Sequence, residues 1–116
     1  MNSPSLYEVW KLPFAYEEDP TRSKERPIVI GAIHEGRAVV LVLKVTGHGP
    51  RPEYPGEVRL IDWQDAGLSK PSTVRCSKQL LVPSGAFLSA HCYGRLSERD
   101  AQAVREALLE LGTITC

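Results

Sequence analysis

The stretch PIVIGAIHEGRAVVLVLKV, residues Pro27–Val45, decides the fold. Pro27–Ile33 is a nearly continuous apolar run, the composition of a buried strand. His34-Glu35-Gly36-Arg37 reads as a tight turn, and Ala38–Val45 follows as the partner strand. Two apolar runs joined this closely make a β-hairpin. In an antiparallel pair, the start of one strand lies beside the end of its partner. Arg26, directly before Pro27, is therefore expected next to Thr46, with His48 two residues further. Proline biases the preceding residue toward extended backbone, so the Arg26 guanidinium projects where the preceding loop enters the sheet. A guanidinium beside a hydroxyl suits a phosphodiester, because the fork binds two oxygens and the hydroxyl adds an orienting hydrogen bond.

Outward from the hairpin, Leu6–Leu12 alternates like a first strand. Phe14–Glu25 is a polar connecting loop carrying Glu17, Glu18, Asp19 and Pro20. Gly47–Pro55 (GHGPRPEYP) is a second exposed loop. Glu57–Ile61 reads as a half-exposed strand, and Asp62–Lys70 as a turn or short helical excursion. Thr73–Ser77, Gln79–Val82 and Ser89–Arg95 are further short strands. At the C-terminal end the period changes: Ala101, Val104, Leu108 and Leu111 recur at helical spacing. Ser97 and Asp100 resemble a capping box, with Asp for the usual Glu, and Gly112 is a C-terminal stop. The pattern is mainly β (α+β): a small, partly open barrel of five to seven strands with one helix over about 97–111.

The 116 residues fit one domain, 1–116, without room for two independent cores. With 42% hydrophobic and 24% charged residues, the composition is that of a globular chain. Fourteen basic and fourteen acidic side chains cancel, which argues against wholesale coating of nucleic acid but leaves room for a local basic groove. Three cysteines, Cys76, Cys92 and Cys116, are too few and too spread for a disulfide scaffold or a Cys-x-x-Cys metal site. The start MNSPSLYEVW has no basic region followed by an apolar core, and the aliphatic runs are too short to span a bilayer. A cytoplasmic protein with free thiols, no membrane partner, no metal and no cofactor is expected.

Four segments then carry a family likeness. Trp10–Ile30 (WKLPFAYEEDPTRSKERPIVI) pairs an aromatic strand and Pro-Phe with a polar loop and Lys-x-Arg-Pro. Val39–Thr46 (VVLVLKVT) follows. Tyr54–Arg75 contains Ala-Gly-Leu-Ser-Lys-Pro-Ser-Thr-Val-Arg, and Gly94-Arg95-Leu96-Ser97 enters the helix. In this order the segments resemble the PemK/MazF-type toxin ribonucleases. The resemblance implies an SH3-like barrel and a toxin that cuts single-stranded mRNA without metal, by attack of a ribose 2′-hydroxyl that leaves a cyclic phosphate. It also implies catalytic roles for Arg26 and Thr46, a homodimer, a cognate antitoxin, and operator DNA bound only through the antitoxin complex.

Two departures stand out. Gly47 and His48 follow Thr46 where relatives often carry Thr or Ser and then Gln, and Leu6-Tyr7-Glu8-Val9 lacks their Gly-Asp. His48 either replaces the missing amide, serves as a base, or is a solvated loop histidine. Lys70, Ser72 and Arg75, with Lys24 of the Lys-x-Arg-Pro motif, are candidates for holding RNA phosphates. Their alternative is a surface turn. Trp63 either stacks an unpaired base or packs in the core. His91 and Cys92 point to opposite faces of a strand, which leaves no dyad. Two rival functions share the barrel: a CcdB-like gyrase poison that cuts nothing, and an inactive binding module.

Overall fold

The computed structural model describes residues 4–15, 21, 23–34, 36 and 38–114. The strands are β1 (Glu8–Ala15), β2 (Ser23–His34), β3 (Val39–Thr46), β4 (Glu57–Arg59), β5 (Thr73–Pro83) and β6 (His91–Arg95), and the helix α1 spans Glu98–Glu110. Neighbouring strands are antiparallel, in the order β4-β5-β3-β2-β1-β6. The edge strands β4 and β6 do not pair with each other, so the sheet stays open. This is the mainly β architecture with one late helix that the periodicity predicts. Glu17, Glu18, Asp19 and Pro20, the turn residues Glu35 and Arg37, and Cys116 lie outside the described residues.

The hairpin is continuous in sequence hydrophobicity because both faces of it are covered. On one face Val9, Val29, Leu43 and Val74 pack with Val104 and Leu108 of α1. On the other, Ile28, Ile30, Val40 and Val42 pack with Trp10 and with Phe87, which sits in a 3₁₀ turn at Ser84–Phe87. The Trp10 and Phe87 rings meet edge to face, 5.1 Å between centroids. Truncating one of these fully buried aliphatic side chains to alanine costs about 2–5 kcal/mol, a large share of a small domain's stability.

Several elements differ from their expected bounds. β1 starts at Glu8 because Tyr7, at φ 65°, turns the chain first. That turn is held by the Tyr7 N–H donating to Ile30 (2.9 Å) and the Leu96 N–H donating to Tyr7 (2.9 Å). β2 starts at Ser23, so Arg26 lies within a strand and pairs with Leu12 of β1. The β2–β3 pairing, in contrast, begins only at Ile28↔Lys44. Pro27, with no N–H to give, is where those two strands part.

The two strands expected at Thr73–Ser77 and Gln79–Val82 are one. Its register against β3 jumps from Lys44↔Arg75 to Leu43↔Gln79, a bulge that leaves Ser77 and Lys78 exposed and Cys76 buried. Burial pushes the Cys76 thiol up to about 12. β4 ends at Arg59 rather than Ile61, because the N–H groups of Ile61 and Asp62 donate to the Asp100 carboxylate at 3.0 and 2.8 Å.

That bond also changes the expected capping box. The Ser97 Oγ accepts from the Asp100 N–H at 3.3 Å, but the Asp100 carboxylate reaches across to the 61–62 turn instead of back to the cap. Gly112, at φ 77°, ends the helix as expected, with the Thr113 N–H donating to Leu108 at 3.0 Å.

Candidate active site

The residues that position the site lie where β2 and β3 part. Ile28↔Lys44 is the last rung, and the same register continued by two residues sets Arg26 opposite Thr46. Beyond that point the strands enclose a cleft of about 400 Å³. Lys24, Glu25, Arg26 and Pro27 form one wall, Thr46, Gly47 and His48 a second, and Lys70 and Ser72 a third. Six of the eight sequence candidates therefore share one cleft.

Local chemistry fixes these groups. The Thr46 Oγ accepts from the His48 N–H at 3.4 Å, a turn that holds the hydroxyl's oxygen while leaving its proton to donate. Ser72 is buried and donates from Oγ to the Lys70 carbonyl at 2.8 Å, which pins the turn carrying Lys70. Gly47 matters sterically. A Cβ there would lie 3.0 Å from both Cε and Nζ of Lys70, so the lysine arm lies directly against the glycine backbone. Glu25, which the sequence reading did not single out, also lines the cleft. It is paired with Lys11 at 3.1 Å, and that partner, with Tyr93 nearby, raises the Lys11 ammonium above the ordinary lysine range. Lys11 lies two residues along β1 from Pro13, Glu25's cross-strand partner, a relation visible only once the register is known.

The turn that delivers Lys70 and Ser72 is braced from below. Asp62 is gripped by Arg99 through two hydrogen bonds of 2.7 and 2.8 Å, and by the Ser97 hydroxyl. These contacts hold its carboxyl at about 2. The α1 N-terminus thus clamps the 61–68 segment, and the Leu60 N–H donating to the Ser72 carbonyl (2.9 Å) closes the loop back onto the sheet.

Arg75 and Trp63 do not line the cleft. Arg75 donates from Nε to Glu57 at 2.8 Å and lies 5.0 Å from the Tyr54 ring centroid, with Arg51 at 4.9 Å. Burial pushes the Glu57 carboxyl up, but the Arg51 N–H and Arg75 outweigh it and hold the group below the ordinary range. Trp63 is half-buried against the α1-side core. His91 is exposed with its ring 5.3 Å from that of Tyr93, and the Cys92 thiol contacts the Gly94 carbonyl at 3.7 Å. Among the described residues there is no cluster of three or more His, Cys, Asp or Glu fit to hold a metal ion.

A chain whose charges cancel overall thus concentrates Lys24, Arg26 and Lys70 around one hydroxyl-bearing cleft. Such a site can bind a phosphodiester and stabilise extra charge on its phosphorus.

Comparison with known proteins gives the same direction. A family model described as PemK-like, MazF-like toxin of type II toxin–antitoxin system matches residues 6–111. No curated protein matches in sequence. Among solved structures, a MazE–MazF crystal structure from Deinococcus radiodurans superposes with a TM-score of 0.71 at 17% identity, covering 97% of this chain and 99% of that one. An endoribonuclease in complex with its cognate antitoxin from a Mycobacterial species gives 0.70 at 16%, covering 100% and 99%. The Mycobacterium tuberculosis toxin MazF-mt6 gives 0.61 at 22%, covering 92% and 99%. At these identities the superpositions speak for the fold.

Proposed function

The chain belongs to the PemK-like, MazF-like toxin family of type II toxin–antitoxin systems, and from that premise we propose that it is a metal-independent endoribonuclease acting on single-stranded RNA. The observation that carries this reading is the cleft in which Arg26, Thr46 and His48 meet Lys24 and Lys70.

In the reaction, the 2′ oxygen of one ribose bonds to the adjacent phosphorus and the P–O5′ bond breaks. The 2′ proton passes to a base, and a proton is returned to O5′. The products are a 2′,3′-cyclic phosphate and a free 5′-hydroxyl. Arg26 grips the non-bridging oxygens and neutralises the charge that builds on them, a contribution of roughly 3–4 kcal/mol for one preorganised donor. Thr46 donates its hydroxyl proton to a phosphate oxygen, its own oxygen being held by His48. The His48 imidazole is the base. Lys24 and Lys70 hold the flanking phosphates, and Ser72 acts through Lys70. Arg75 and Trp63 support the site from outside it, Arg75 through Glu57 and Trp63 through the core.

The family and the named relatives support a cognate antitoxin as partner, with operator DNA reached through that complex. The exposed Leu80, Leu81 and Leu88 supply apolar surface of the kind a homodimer covers. No helix among the described residues is long and apolar enough to cross a membrane.

The chemistry is tested at the product ends. Fragments of a long RNA should accept a radiolabel from polynucleotide kinase without prior phosphatase treatment, as 5′-hydroxyl ends do. Fragments carrying 5′-phosphates would contradict the 2′-hydroxyl route.

A further inference from the structure

We propose that a second pocket, adjoining the cleft, takes one pyrimidine base of the RNA beside the cleaved phosphate. The proposal rests on the endoribonuclease reading and says where that enzyme reads sequence. The pocket measures about 180 Å³ and lies between the turn Gly67–Ser72 and Tyr93. It shares Pro27, Lys70 and Ser72 with the larger cleft. A nucleotide whose phosphate sits between Arg26 and Lys70 therefore has its base, or its neighbour's base, at this second opening.

Size and lining select the occupant. A cavity of about 150 Å³ admits a benzene ring, so 180 Å³ matches one six-membered ring with its exocyclic atoms. Pro27 and the half-buried Tyr93 bring ring-bearing side chains to its lining, against which a base can stack, beside the apolar Leu68. The Gly67–Ser69 backbone and the Ser69 hydroxyl offer polar atoms for a base edge, the means by which unpaired bases are read.

The pocket is also preformed. Gly67, at φ 89°, packs so closely on β6 that a Cβ would come within 2.4 Å of the Tyr93 carbonyl oxygen. A Cβ on Gly94 would come within 2.8 Å of the Ala66 carbonyl oxygen. Backbone lies on backbone at both glycines, and the clamp of Asp100 on the 61–62 turn holds the other end. A rigid wall gives selectivity that a mobile loop loses to ordering costs.

The test uses the whole chain and two variants, Tyr93→Leu, which removes the ring face, and Ser69→Tyr, which fills the pocket from an exposed position. Thermal melting establishes that each is folded. Cleavage sites in a long RNA are mapped by sequencing, and binding is measured with uncleavable 2′-O-methyl oligonucleotides carrying a pyrimidine or a purine at each position. Wild-type sites should share a pyrimidine at one position adjoining the cut, with discrimination of about ten-fold or more. Both variants should lose the preference at that position alone. Cleavage with an unchanged base pattern in both variants overturns the pocket and leaves the enzyme reading standing. A wild type that binds pyrimidine oligonucleotides selectively through Tyr93 and Ser69 yet cleaves nothing keeps the pocket and sinks the enzyme reading. A wild type that neither binds nor cleaves sinks both.

Discussion

Arg26 and Thr46 face each other by antiparallel register, and one residue without a backbone donor opens the space between their strands. Pro27 stands where β2 leaves β3, after the Ile28↔Lys44 rung, and the gap it leaves is the cleft. The neighbourhood of Arg26 and Thr46 is legible in the sequence because antiparallel pairing is simple arithmetic once the hairpin is recognised. Lys70 too is a candidate phosphate holder in the sequence, but its place against Gly47 is not legible there, since it arrives from a turn pinned by Ser72. No local pattern announces a contact between residues 47 and 70. The Gly47 departure from the usual family pattern thus has a physical use: it makes room for a cation. Gly47→Ala should push the ammonium aside, raising KM for RNA several-fold while kcat holds, since only a binding contact is lost. Steady-state cleavage assays would check this, with Lys70→Met as the reference, and an unchanged KM in both would remove Lys70 from the binding site.

At the scale of elements, α1 is both a lid on the core and a clamp on the site. Its Ser97 cap and Asp100 were readable as a capping box, yet Asp100 spends its carboxylate on the 61–62 turn because two N–H groups there have left the β4 ladder. Short-range motifs give the residues; tertiary competition decides the partner. Asp62 makes the clamp sensitive to acid. Its carboxyl is held at about 2 by Arg99 and Ser97, below an ordinary aspartate at about 3.9. A carboxylate depressed in the folded state contributes stability above its unfolded pKa and loses it as pH falls through the folded one. Thermal melts should therefore show wild type more stable than Asp62→Asn above about pH 4, with the gap closing toward pH 2. Arg99 is largely exposed, so the effect is modest. A gap that stays constant with pH would contradict the ion pair's role.

For the whole molecule, one open six-stranded sheet has both faces of its hairpin buried, so the polar chemistry is driven to the strand ends. The hairpin and the helix were legible because their apolar periods are long. The joined β5 was not, because its Ser77–Lys78 bulge interrupts the alternation that marks a strand. Nor was the separation of Arg75 and Trp63 from the cleft, which depends on Glu57, Tyr54 and core packing that sequence spacing does not encode. The resulting molecule carries balanced charge yet, among the described residues, gathers Lys24, Arg26 and Lys70 at one cleft, the local charge that the proposed grip on RNA phosphates needs. Metal-independent RNA cleavage through Arg26 is decided by incubating a long single-stranded RNA in EDTA with wild type and with Arg26→Ala, whose exposed position leaves the fold intact. The wild type should cleave the RNA, and the variant should do so roughly 10²–10³-fold more slowly. A wild type that arrests growth but cuts no RNA, or equal cleavage by both proteins, would contradict this mechanism.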